Sequence, residues 1–326
     1  MNIEDYMKET PLKMKEIIQG ADELFAEVRK EKFSRIVVTG SGTSYHSAAQ
    51  AKKLMQHFLG IYVDVFYPFQ IDKETFLDDA SKTLLIGISQ GGSSYSTYHA
   101  MKTGKEAGCS IASMAGTEGA LIDEISDYIL TVRCGEETAG AKTKGFYCTK
   151  LNLTLFALQL AKSYGRISAE DYAAEITQLE AYADHFLAIY EQSLQWVSQN
   201  CENLAAAKDI RVVGTKEIYG DTLESALKLL ETMRIPVTGY EFEEFVHGIY
   251  NAVNEDSTII ILDTGEEGRV ETLINVLSDW TNHIFVIGKN GRETPKDLKA
   301  DFLNQPFIKL MSTSSRFNWS VRMSRN

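Results

Sequence analysis

The chain has few cysteines, no basic cluster and no long apolar run, and each shortage removes a class of protein. Its four cysteines, Cys109, Cys134, Cys148 and Cys201, lack CxxC or any other metal-ligand spacing. The acidic opening MNIEDYMKET is unlike the basic and apolar regions of a signal peptide, so the expectation is a reduced, cytoplasmic protein. Basic residues are outnumbered 33 to 45, a formal charge of −12. That balance opposes nucleic acid and anionic membranes, and the densest basic stretch, Lys142, Lys144 and Lys150, is too thin to override it. The longest apolar runs, such as TIIIL from Thr258, have strand length, which argues against a membrane span.

What is present suits two domains of ordinary size: 326 residues, 44% of them apolar. After about thirty helical residues a pattern sets in of apolar β-rich run, polar glycine or serine loop, and amphipathic helix. This is the rhythm of a parallel sheet. Strands are expected at RIVVTG from Arg35, YVDVFY from Tyr62, TLLIGIS from Thr83, CSIASMA from Cys109 and YILTVR from Tyr128. An apolar helix after Phe146 and a long amphipathic stretch to about Asn200 follow, the latter with Leu179, Tyr182, Phe186, Tyr190 and Leu194 near helical spacing. The pattern then restarts at DIRVVGT from Asp209 and runs through IPVTGYEF, TIIILDT and HIFVIGK. Gly214 follows Gly40 by 174 positions and Thr258 follows Thr83 by 175, a shared offset that argues for duplication. The expected organisation is a helical segment at 1–30, a first domain at 31–165, a helical connector at 166–205 and a second domain at 206–326.

Two loops of the first half are rich in hydroxyls. TGSGTSYHSA puts Thr39, Ser41, Thr43, Ser44 and Ser47 at a strand-to-helix turn, and SQGGSSYST does the same from Ser89 to Thr97. Small residues let backbone amides approach an anion, hydroxyls add donors, and the helix N-terminus adds its dipole. Such residues are also ordinary helix caps. Two such loops at strand ends, however, share one crevice in an open α/β sheet. In the second half, DTLESALKLLETM reads as an amphipathic helix with Leu223, Leu227, Leu230 and Met233 on its buried side, and Glu224, Lys228 and Glu231 clustered on another. A solvated charge stripe would look the same. The segment VTGYEFEEFVHGIYNAV follows, with His247 near Glu243 and Glu244, carboxylates able to keep an imidazole protonated.

From about Arg35 to about Gly291 these motifs resemble the SIS (sugar isomerase) domain family, in particular the isomerase half of glucosamine-6-phosphate synthase. The most specific pieces are ESALKLLE and EEFVHG. The resemblance implies an α/β fold of two tandem SIS domains, each a parallel five-stranded sheet flanked by helices in a flavodoxin-like three-layer sandwich. It implies a phosphate site in Gly42, Thr43 and Ser44 and in Ser89, Gln90, Gly91 and Ser94, where Gly91 stands in place of a serine and Ser94 of a threonine. Lys142, Thr143, Lys144, Gly145 and Phe146 resemble the family's Ser-Thr-Lys-x-Phe, with Lys142 at the serine and Glu137 ahead of it. Glu231 takes the place of the glutamate that moves a proton between C1 and C2, His247, sixteen residues later, that of the histidine that assists ring opening, and Lys228 that of the motif's lysine. Glu224 is counted with the substrate residues.

Three departures stand beside the likeness. There is no N-terminal cysteine of a glutaminase domain, so no glutaminase activity is expected, Ile249 follows His247-Gly248 where many relatives have proline, and the end PFIKLMSTSSRFNWSVRMSRN offers Lys309 alone and no helical period. The implied chemistry is enolisation of a ketosamine or ketose 6-phosphate. Lys142 and the acids Glu137, Glu224, Glu243 and Glu244 favour an amino substituent, and thus a deglycase or deaminase, over an aldose-ketose isomerase. A non-catalytic phosphosugar sensor is a third reading. Neither a metal nor a cofactor is called for, and the partners expected are a small-molecule phosphosugar and, from the family, a second copy in a homodimer, with the apolar helices after Phe146 as a candidate contact.

Overall fold

A computed structural model describes residues 2–77, 79–265 and 267–299 of the chain. In chain order its elements are α1 (Ile3–Leu24), β1 (Arg35–Thr39), α2 (Thr43–Leu59), β2 (Tyr62–Phe66), β3 (Thr83–Ser89), α3 (Tyr95–Ala107), β4 (Ser110–Ala115), β5 (Tyr128–Ile129) and α4 (Lys144–Ser163). Then come α5 (Ala169–Ala205), β6 (Asp209–Gly214), α6 (Tyr219–Met233), β7 (Val237–Glu241), α7 (Phe242–Val246), β8 (Ser257–Asp263), α8 (Val270–Leu277), β9 (Ile284–Gly288) and β10 (Leu298–Lys299). The chain separates into two compact units, Met1–Asp184 and His185–Asn326, and the division falls within α5. The unpatterned tail and Lys309 lie outside the described residues. Among the described residues no helix is long and apolar enough to cross a membrane.

Each unit is built on a five-stranded parallel sheet flanked by helices, ordered β2-β1-β3-β4-β5 in the first and β7-β6-β8-β9-β10 in the second. The orders are the same, and so is the register. Arg35 pairs with Thr83 and Asp209 with Ser257, Ile36 with Val63 and Ile210 with Val237; 209 − 35, 257 − 83 and 237 − 63 are all 174. All of β3 and β8 is buried, as expected of central strands covered on both faces, whose sequences are continuous apolar runs. The first core gathers Val37, Leu85, Met101 and Ile111, and the second Val213, Ile259, Ile274 and Val286.

Two expectations change. YILTVR contributes only the two residues of β5 as regular strand, although Leu130 N and Val132 N still donate to the Ser113 and Ala115 carbonyls of β4 at 2.8 Å. The apolar helix after Phe146 offers no face to a second subunit: every residue of α4 from Lys144 to Ala161 is buried, with α1 and α2 packed against it.

Candidate functional site

In the first unit β1 and β3 are neighbours whose following helices start from the same edge of the sheet. Gly40 makes the approach possible, since a Cβ there would lie 2.8 Å from Ser44 Cβ and 2.9 Å from the Ile88 carbonyl oxygen. Gly42, at φ +54, begins α2 in a conformation that glycine adopts readily and brings no capping side chain to its amides. Ser44 is buried on the first turn, and its hydroxyl has no hydrogen-bond partner among the described residues.

The second hydroxyl loop is more committed. Ser94 caps α3, its Oγ accepting from Thr97 N at 3.4 Å and Thr97 Oγ1 at 3.0 Å, and Ser89 Oγ accepts from Ser94 N at 3.3 Å. A hydroxyl that accepts in this way keeps its own proton for another acceptor, so capping and anion binding are compatible. Gln90 is turned into the protein. Its Nε2 donates to Cys134 Sγ at 3.0 Å, and its Oε1 accepts from Thr149 Oγ1 at 3.3 Å. A Cβ on Gly116 or Gly145 would fall 2.6 Å from the same side chain. These four partners escape a sequence reading because they are scattered, although Gly145 beside the Thr-Lys pair is a hint. Below them the buried Cys148 thiol bonds to Cys134. The bond pushes Cys148 above the usual thiol range and holds Cys134 below it, with burial of Cys134 and the Gln90 bond acting in turn against and with that shift.

Glu137 corrects an expectation. One carboxylate oxygen accepts from Thr143 N at 2.6 Å, Thr143 Oγ1 at 3.1 Å and Lys144 N at 3.3 Å, and the other from Gly145 N at 3.0 Å. It is the N-terminal cap of α4 and is not available to an amino substituent. Lys144 is buried and donates to Glu9 Oε2 at 2.9 Å. Lys142, just ahead, is half-buried beside Gly91.

In the second unit Glu224, Lys228 and Glu231 come together as their spacing predicts. Lys228 Nζ lies 2.6 Å from Glu231 Oε2 and 3.5 Å from Glu224 Oε1; Glu224 and Lys228 are buried, while the Glu231 side chain is one-third exposed. The leucine face is the reverse of the expectation. Leu223, Leu227 and Met233 are half-buried and Leu230 is 43% exposed, whereas Asp221, Glu224, Ser225 and Lys228 are buried. The cause is close packing through small groups: Thr222 and Ala226 meet Gly214 and Gly239 of β6 and β7, which have no side chain to hold the helix away. Mutual pairing offsets the desolvation of the inward charges.

His247 ends α7 and is exposed, and its ring makes no hydrogen bond or ion pair among the described residues. Neither neighbouring acid holds it: Glu243 pairs with Arg269, and Glu244 makes no ion pair with the ring. Nor does the sheet bring His247 to Glu231. β6 and β7 are parallel, so α6 between them runs back toward the amino edge, and Glu231, twelve residues in, lies about 18 Å along its axis. His247 follows the carboxyl end of β7, at the opposite edge.

Residues 27–159 match the model of the SIS domain. Glutamine–fructose-6-phosphate aminotransferase [isomerizing] from Thermococcus kodakarensis is 26% identical over 289 residues, 87% of this chain and 48% of that protein, so the chain spans about half the length of this relative. A crystal structure from Clostridium difficile 630, provisionally described as a phosphosugar isomerase, aligns with TM-score 0.96 and 56% identity over 98% of this chain and 92% of that one. Another, from Salmonella typhimurium and provisionally described as a sugar binding protein, aligns with TM-score 0.86 and 38% identity over 97% and 98%. Motif, sheet order and these likenesses agree, and the chain belongs to the SIS domain family, homologous to the isomerase domain of glutamine–fructose-6-phosphate aminotransferase.

Proposed function

We propose that the protein binds a 6-phosphorylated amino sugar or ketosamine and moves a proton on it by general acid/base chemistry. In this reading the two sheets are duplicated SIS domains of the one chain. The observation that carries it is the unpartnered Ser44 hydroxyl on an uncapped helix start, beside a second hydroxyl loop on the neighbouring strand. This is a neutral, donor-rich edge suited to a phosphoryl group in a chain whose overall charge repels one. The relatives' names point the same way, to fructose 6-phosphate and to phosphosugars.

Phosphate held at Gly42, Thr43, Ser44, Ser89 and Ser94 fixes the register of the sugar, and Gln90 shapes that loop from inside. Glu231, oriented by Lys228, is the base that carries a proton between C1 and C2 through an enolamine or enediol. His247 delivers the proton that opens the ring. Because Glu231 and His247 stand at opposite edges of one sheet, the reading includes a homodimer in which base and imidazole at a site come from different copies. For a ketosamine the outcome is deglycation: water adds, the amine leaves and a hexose phosphate remains. Aldose-ketose isomerisation is the second reading. Glu137 and Glu243 are occupied within the fold, which leaves the Lys228 cluster and the exposed Glu244 as the acids offered to an ammonium group.

Incubation with fructose 6-phosphate, glucosamine 6-phosphate and fructoselysine 6-phosphate, following ammonia, amino-acid and aldose release, separates the outcomes. Amine release is expected. Interconversion of ketose and aldose phosphates alone would select isomerisation, and ligand stabilisation with no turnover would leave a sensor.

A further inference from the structure

Lys142 is a cation without a counter-charge among the described residues. It is half-buried, yet its ammonium makes no hydrogen bond or ion pair among the described residues. Its neighbours in the same turn are differently placed: Thr143 and Lys144 are bound through their amides to the Glu137 carboxylate, and the Lys144 side chain is spent on Glu9. The backbone after Lys142 is therefore fixed while its head group is uncommitted. That head group is aimed at one point of the other loop. Lys142 Nζ lies 3.7 Å from where a Cβ on Gly91 would stand, and Ser93 Oγ lies 4.0 Å from the same point; apart from Gly91's own chain neighbours, no other described residue comes within 4 Å. Gly91 is exposed, between Ser89 at the strand end and Ser94 at the helix cap.

We propose that Lys142 is the counter-charge of the Ser89–Ser94 loop and a specificity-determining residue that selects the dianionic form of a phosphoryl group, Gly91 being bare to admit the ammonium. The inference rests on the proposed function and deepens it by naming the ionisation state of the ligand. A partly desolvated ammonium lacking an acceptor regains one when a phosphoryl oxygen enters, and a single near cation matters more where the net field is negative. Gly91 tolerates a small side chain, since 3.7 Å is ordinary contact, but a hydroxyl there would stand between the ammonium and the ligand.

The test is calorimetric titration of the full chain with fructose 6-phosphate, inorganic phosphate and fructose between pH 5 and 7.5, across the phosphoryl group's second pKa of about 6. Wild-type affinity for fructose 6-phosphate should rise with pH through that value, and affinity for inorganic phosphate, whose second ionisation lies about one pH unit higher, toward the top of the range. Lys142→Met should weaken fructose 6-phosphate binding about 10- to 100-fold at pH 7.5 and flatten the rise. Lys142→Arg should retain the rise, which keeps the charge reading testable should the methionine variant misfold. Adding Gly91→Ser to Lys142→Met should restore part of the affinity without the pH dependence. Fructose 6-phosphate affected without inorganic phosphate would show that the lysine reads the sugar, and would overturn the proposal. So would a Lys142→Met protein whose affinity and pH profile match the wild type, with the proposed function left intact. Wild-type protein that binds neither phosphate would remove both.

Discussion

The two units share a sheet order and a 174-residue register, yet they use charge in opposite ways. In the first, the glutamate of the α4 approach, Glu137, is sunk into backbone amides, and the sheet edge from which α2 and α3 start carries hydroxyls and amides, with Lys142 making no ion pair among the described residues. In the second, an inward helix face carries Glu224, Lys228 and Glu231 as a paired cluster whose last member reaches solvent. Equivalent scaffolds thus hold a hydroxyl-rich edge and a paired charge cluster, and the difference lies in a handful of side chains on common backbone.

Three carboxylates sharpen that comparison. The largest effect is expected at Glu231. Glu231→Gln should lower turnover by about 10²- to 10⁴-fold with phosphosugar affinity nearly unchanged, read by steady-state kinetics and calorimetry. A fully active variant would remove Glu231 as the base. Next comes Glu137, where glutamine turns an NH2 toward amides that need an acceptor. Glu137→Gln should cost about 2–3 kcal/mol in urea unfolding while the folded enzyme turns over normally. An unchanged unfolding midpoint would mean that the α4 cap is dispensable.

The smallest concerns Glu175 on α5. Burial, ahead of opposing help from His57, holds its carboxyl above the usual range, and Oε2 has no hydrogen-bond partner among the described residues. A raised folded-state pKa means that the protonated form is favoured, so this contribution is present at low pH and is lost as pH rises through the folded value. Because the residue is only half-buried, solvent screening shrinks it. Glu175→Gln should raise the melting temperature by only about 1 °C at pH 7 and leave it unchanged near pH 4. A gain at pH 4 as large as that at pH 7 would contradict the assignment.

Most of the sheet was legible because buried parallel strands read as unbroken apolar runs: β1, β3, β6 and β8 lie where RIVVT, TLLIGIS, DIRVVG and TIIILD are written. The edge strands were legible only in part: β2 and β7 lie within YVDVFY and IPVTGYEF, whereas YILTVR overstated β5 and nothing marked β10. β5 and β10 are two residues each, too short for any period, and Leu298 belongs to a strand only because Ile287 pairs with it. The Glu224, Lys228 and Glu231 cluster follows from helical spacing alone, but the side on which the helix packs does not. Binary patterning sends leucines inward, and here Gly214 and Gly239 let the polar side approach instead. The sixteen-position spacing of Glu231 and His247 is visible in sequence; the crossover that sends them to opposite edges is a property of the parallel sheet. Gln90 was read as a ligand contact because its slot is built by Gly116, Cys134, Gly145 and Thr149, none of them its neighbour in the chain.

Helix α4 has no wet side from Lys144 to Ala161. An ordinary surface helix leaves its outer positions free to drift, whereas here each position must fit α1, α2 or the sheet, and even Thr149, Asn152, Thr154 and Gln159 are enclosed. Random change should therefore be purged from this stretch faster than from α5, whose outer face is open, so that the segment best preserved between distant copies of the gene is one that touches no ligand along most of its length.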